Sequence, residues 1–104
     1  MGGKTPIDTL DFSSHTFNTP EKLELSLNSF IDNISKEYSI NLPDNDLYVD
    51  KFSELIKRIY EKFNEQVVIL VDEYDLPIID NLSNKEVLEE NKEVLRSFYR
   101  VLKN

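Results

Sequence analysis

Hydrophobic spacing along the chain changes period several times, and each change predicts an element. Ile7, Leu10 and Phe12 stand among polar residues and predict a short strand over Ile7–Phe12. After a polar connection, Thr19-Pro20 reads as a helix start. Thr supplies the N-cap, Pro the first helical position, and Glu21 a charge suited to the positive end of the dipole. Leu23, Leu27, Phe30, Ile31, Ile34 and Tyr38 then recur at steps of three and four, so this helix runs to about Tyr38. Pro43, Asp44, Asn45 and Asp46 mark Ser39–Leu47 as a loop. A second helix is expected over Asp50–Phe63, with Asp50 as its cap and Phe52, Leu55, Ile56, Ile59, Tyr60 and Phe63 as its stripe. Asn64-Glu65 ends it.

The run Val67–Val71 is different in kind. It is β-branched, short and apolar without alternation, which predicts a strand covered on both faces, as in a parallel α/β sheet. Pro77 prevents its simple continuation. Ser83 and Glu86 fit a capping box at the start of a long last helix. The inner stripe of that helix is Val87, Asn91, Val94, Leu95, Phe98, Val101 and Leu102. The order is therefore β-α-α-β-α, an α/β fold with two parallel strands joined by a crossover. A strand of the Val67–Val71 kind wants a neighbour on each side, and the sequence offers one.

Composition narrows the class. The chain has 104 residues, 12 Lys+Arg against 20 Asp+Glu, and a net charge of −8. One domain or part of one is the prior, and the acidic balance argues against nucleic-acid binding through the overall field. With no cysteine there is neither a disulfide framework nor a thiolate metal site, and an intracellular, cytoplasmic setting fits. The longest apolar run, Val67–Val71, is far too short to span a membrane. Glycine matters most: Gly2 and Gly3 are the only two. A phosphate cradle needs several positions where no side chain obstructs the backbone, and the body of this chain cannot build one.

The candidate chemistry lies where the Val67–Val71 run meets Asp72, Glu73 and Asp75. Ligands of open α/β sheets bind at the carboxyl ends of strands. Phosphoryl transfer from a nucleotide needs a carboxylate in the Mg²⁺ shell and a group that polarises the attacking water. An apolar strand ending in Asp-Glu is the Walker B pattern that supplies both. An ordinary polar strand end reads the same way on spacing alone.

The wider text decides between them. "VVILVDEYDLPIIDNL", followed by "EVLRSFYRVLK" and preceded by "KFSELIKRIYEKFNEQ" and "PIDTLDFSS", resembles the bacterial AAA-ATPase-like family of P-loop proteins over nearly all of Pro6–Asn104. The resemblance implies a partial three-layer α/β/α P-loop domain over residues 6–104; residues 1–5 read from the sequence itself as a flexible N-terminus. It implies that Asp72 holds the Mg²⁺ shell, that Glu73 polarises the hydrolytic water, and that Asp75 is a third acid of the nucleotide site. Tyr74 and Pro77 would shape the loop. At Leu76 many relatives carry a basic residue. Mg²⁺ and ATP are the family's cofactors. The family's phosphate loop, G-x-x-x-x-G-K-[ST], has only an echo in Gly3-Lys4-Thr5, which lacks the first glycine and a preceding strand. The expectation is a truncated domain, inactive alone and binding neither cofactor on its own. A second expectation is an interaction module, with the unpaired edge of Val67–Val71 recruiting its own copy or a full-length relative. A small metal-dependent hydrolase using Asp72, Glu73 and Asp75 alone is the weakest reading.

Smaller features read blandly. His15 lies in a polar loop. Lys92, Arg96, Arg100 and Lys103 make a basic stripe that suits the negative end of the last helix's dipole. Asp44 and Asp46 suggest part of a calcium loop, but no suitably placed glycine or glutamate follows.

Overall fold

A computed structural model describes residues 6–13, 16–42 and 47–102. The readings made for Met1–Thr5, His15, Pro43–Asp46 and Lys103 lie outside these residues. The order is β1 (Ile7–Asp11), α1 (Pro20–Glu37), α2 (Tyr48–Phe63), β2 (Val68–Asp72), a one-turn α3 (Leu76–Ile79) and α4 (Lys85–Leu102). The strands are parallel, in the register Ile7↔Val68 to Asp11↔Asp72. This is the expected α/β fold and element order. The one-turn α3 is the addition: Pro77, read as a stop, sits in the first turn of a helix, where its missing N–H costs nothing.

Local chemistry explains most boundaries. Thr19 Oγ1 accepts from the Lys22 backbone N–H at 3.2 Å and caps α1 as expected. Asn64 takes the left-handed conformation (φ 56°) that closes α2, its N–H bonded to the Tyr60 carbonyl at 2.7 Å. Two caps differ from expectation. Asp50 lies inside the first turn of α2, whose cap position is Leu47 with no side-chain bond. At α4, Asn84 rather than Ser83 supplies the cap: its Oδ1 accepts from the Val87 N–H at 3.3 Å and its carbonyl from the Leu88 N–H. Either residue can cap a helix, and spacing alone does not separate them.

The helices pack on one another and on one face of the sheet. Leu23, Leu27, Ile31 and Ile34 of α1 meet Phe52, Leu55 and Ile59 of α2 and Leu95 and Phe98 of α4. Phe52 and Phe98 stack with ring centres 4.4 Å apart and planes nearly parallel. Lys51 of α2 reaches Asn28 and Asp32 of α1 at 3.2 and 2.9 Å. Leu10 enters the core, and Ile69 and Val71 pack against it from β2.

The other sheet face is bare among the described residues. Ile7, Val68 and Leu70 are 55%, 41% and 54% exposed, and Thr9 lies beside them. The unalternated text of β2 predicts cover on both faces, and the described residues supply it on one. The sheet and one helical layer are thus present. The apolar text records an environment that these elements fill by half.

Candidate functional site

Both strands end on an aspartate. The parallel register sets Asp11 beside Asp72 at the carboxyl end of the sheet, both on the exposed face. The Phe12 N–H bonds the Asp72 carbonyl at 3.2 Å, carrying the pairing one step further. Asp11 was not singled out from the sequence, where it reads as a polar residue in an alternating strand. Its Oδ1 accepts from the Ser13 backbone N–H at 2.8 Å, which turns the chain away from the sheet.

After Asp72 the backbone reverses hand. Glu73 has φ 54°, in the left-handed region that a non-glycine residue enters at a cost of about 1 kcal/mol or more. Its carbonyl accepts from the Leu76 N–H at 3.1 Å, closing the turn. Glu73 and the 65%-exposed Tyr74 face solvent. Asp75 is half-buried at the cap position of α3, but its backbone carbonyl does the capping, taking the N–H groups of Ile78 and Ile79 at 3.0 and 2.9 Å. Among the described residues no ion pair or side-chain hydrogen bond engages the carboxylates of Asp72, Glu73 or Asp75.

Two buried asparagines join the segment after β1 to the first turn of α3, just beyond these acids. Asn81 Nδ2 donates to the Phe17 and Pro77 carbonyls at 2.7 and 2.9 Å. Asn91 Nδ2 donates to the same two carbonyls, each at 3.0 Å. Asn91 belongs to the stripe read from α4, where one polar residue among apolar ones was the available signal. Asn81 gave no such signal. Leu76, where the family resemblance led us to expect a basic residue, is half-buried here and packs against the core.

Among the described residues no cluster of three or more His, Asp or Glu side chains is placed to hold a metal ion. A hydrated Mg²⁺ asks less of a protein, since it needs one or two carboxylates and takes its other ligands from water and phosphate. A cleft of about 480 Å³ lies at the other end of β2, lined by Ile56, Tyr60, Val67, Val101 and Leu102 among others. A smaller hollow of about 310 Å³ between β1 and α1 reaches Asp11. The basic stripe of α4 is largely neutralised locally: Lys92 pairs with Glu89 at 3.5 Å and Arg96 with Glu93.

A family described as predicted AAA-ATPase matches residues 2–104, almost the whole chain. The chain belongs to this AAA-ATPase-like family. A similar protein is the "uncharacterized protein in vnfD 5'region" of Azotobacter chroococcum mcd 1, 46% identical over 54 residues. That match takes in 52% of this chain and 10% of the relative, so the chain corresponds to a small part of that protein's length. No solved structure matches significantly. In the described residues of this family member, no helix is long and apolar enough to cross a membrane.

Proposed function

We propose that the carboxyl end of β2 is the Walker B segment of an AAA-ATPase-like domain. Asp72 would hold the water shell of Mg²⁺, and Glu73 would polarise the hydrolytic water. Asp75 would stand behind them as a third acid of the nucleotide site. Mg²⁺, when bound with ATP, neutralises charge that develops on the phosphates. The observation that carries this reading is the placement of Asp72. It is the last residue of a parallel strand, with Glu73 turned outward directly after it and both carboxylates unengaged.

The 104 residues supply no glycine-rich loop to cradle phosphates, so the chain alone is proposed to be inactive, binding Mg²⁺ and ATP weakly or not at all. The test is ATP hydrolysis by the pure chain beside its Glu73→Gln variant. Both are expected at the background rate. Turnover that Glu73→Gln abolishes would contradict the inactivity. A cytoplasmic location belongs to this reading.

One observation favours a second reading, an interaction module. Among the described residues the sheet has two strands, so β2 has an edge that β1 does not pair, beside the bare face of Ile7, Val68 and Leu70. Such an edge recruits strands. Its partners would be a second copy or a full-length relative. This role and the broken ATPase site are compatible in one molecule.

A further inference from the structure

We infer that Asn81 and Asn91 are positioning residues that hold the acid-bearing turn Asp72–Asp75 in place, with Glu73 in its left-handed conformation. The inference rests on the reading of that turn as the functional segment, and it concerns residues to which that reading gives no role.

The bonds form a closed arrangement. Two carbonyls, of Phe17 and Pro77, each receive two side-chain N–H bonds, one from Asn81 and one from Asn91. Phe17 lies in the segment after β1, and its ring packs edge-on against Phe12 at 5.2 Å. Phe12 in turn bonds the Asp72 carbonyl. Pro77 lies just after the acids, in the first turn of α3. The asparagines thus join the segments following both strands and fasten them to α4. Asn81 is 4% exposed and Asn91 0%, so these bonds are formed away from water, where a missing donor is costly.

The chemistry explains why asparagine stands here. Two carbonyl oxygens converge on one point, and only a donor with two N–H groups can serve both. An aspartate would set oxygen against oxygen. The carbonyls also fix the orientation of the Asn91 amide, leaving its Oδ1 buried and unbonded. Holding an acceptor in that state is a penalty, so a residue chosen for packing alone would be leucine. Asn91 gives up that simplicity where the α4 stripe meets the Pro77 carbonyl, in the first turn of α3. The turn itself has a left-handed glutamate, which persists only when its surroundings over-determine it.

Native-state hydrogen exchange of the chain tests this, using Asn81→Ala and Asn91→Ala separately. Each variant leaves one donor to each carbonyl, so each is expected to fold. The amides of Leu76, Ile78 and Ile79, which bond the Glu73 and Asp75 carbonyls, should lose protection by about tenfold or more. Amides in the middle of α2 should change less. Equal loss in both regions would show that the asparagines merely stabilise the whole domain and would overturn the inference, as would unchanged protection in the turn. If Asn91→Ala does not fold, Asn81→Ala decides alone. A second readout is Glu73→Gly, which relieves a left-handed residue. It should raise the folding constant roughly two- to fivefold in the parent chain, a gain that shrinks in the Asn81→Ala background. An undiminished gain would contradict the clamp. Both readouts report backbone geometry. They are therefore independent of nucleotide chemistry, and failure of the Walker B reading would appear separately, in the ATP turnover of a longer family member with Gln at the position aligned with Glu73.

Discussion

Three side chains show how charge and burial act on single residues. The Tyr38 hydroxyl donates to Asp8 at 3.0 Å. Burial, then the Asp8 bond and charge, push that hydroxyl up to about 12. Tyr48, whose hydroxyl donates to the Val94 carbonyl, is likewise pushed up to about 12, chiefly by burial. Folding therefore favours the neutral phenols. Their contribution is complete below the ordinary value of 10 and is lost as pH rises from there through about 12. An ultraviolet titration of the tyrosines should show a late component, and Tyr48→Phe should remove part of it. Glu37 sits beside the same Asp8. The hydrogen bond between the two acids, then desolvation and like charge, raise its carboxyl above the ordinary 4.5. Its stabilisation is present below that value and is lost as pH rises through the raised one. Glu37→Gln keeps a donor toward Asp8 without the second charge. It should flatten that part of the denaturation profile and stabilise the fold modestly at neutral pH, as read from the urea midpoint.

Elements were legible where a period repeated and obscure where one residue decided. The stripes of α1 and α2 and the strand at Val68–Asp72 follow from spacing, because the core sits on one side of each helix. The buried centre, Phe52 stacked on Phe98, comes from two stripe positions of helices distant in sequence. Phe98→Ala should cost about 3–5 kcal/mol in denaturant unfolding, since it empties a fully buried ring site. The exposed cap at Thr19 should cost less: Thr19→Ala is expected to lose about 1 kcal/mol. Two things were not legible. Asn84 replaced Ser83 as cap because both have the right chemistry one position apart. The asparagine clamp depends on two carbonyls brought together across the fold, which no local pattern records. For the site, Asp72, Glu73 and Asp75 were visible as text. Asp11 became visible only with the register, since a strand partner is a property of the sheet.

At the scale of the whole molecule, the unevenness of the sheet is the main fact. One face is packed beneath three helices, and the other presents Ile7, Val68 and Leu70. If these residues and the β2 edge recruit a second copy, light scattering should show self-association that grows with concentration, and Leu70→Lys should suppress it without unfolding the chain. A strictly monomeric species at high concentration would count against the interaction reading while leaving the acids untouched. The central claim concerns those acids, and it is tested most directly in a longer family member that carries its own phosphate loop. Steady-state ATP turnover should be measured there with Gln at the position aligned with Glu73. The expected result is a loss of at least about 100-fold in turnover with nucleotide still bound. Turnover within a few-fold of the parent enzyme would show that Glu73 does not mark the hydrolytic site.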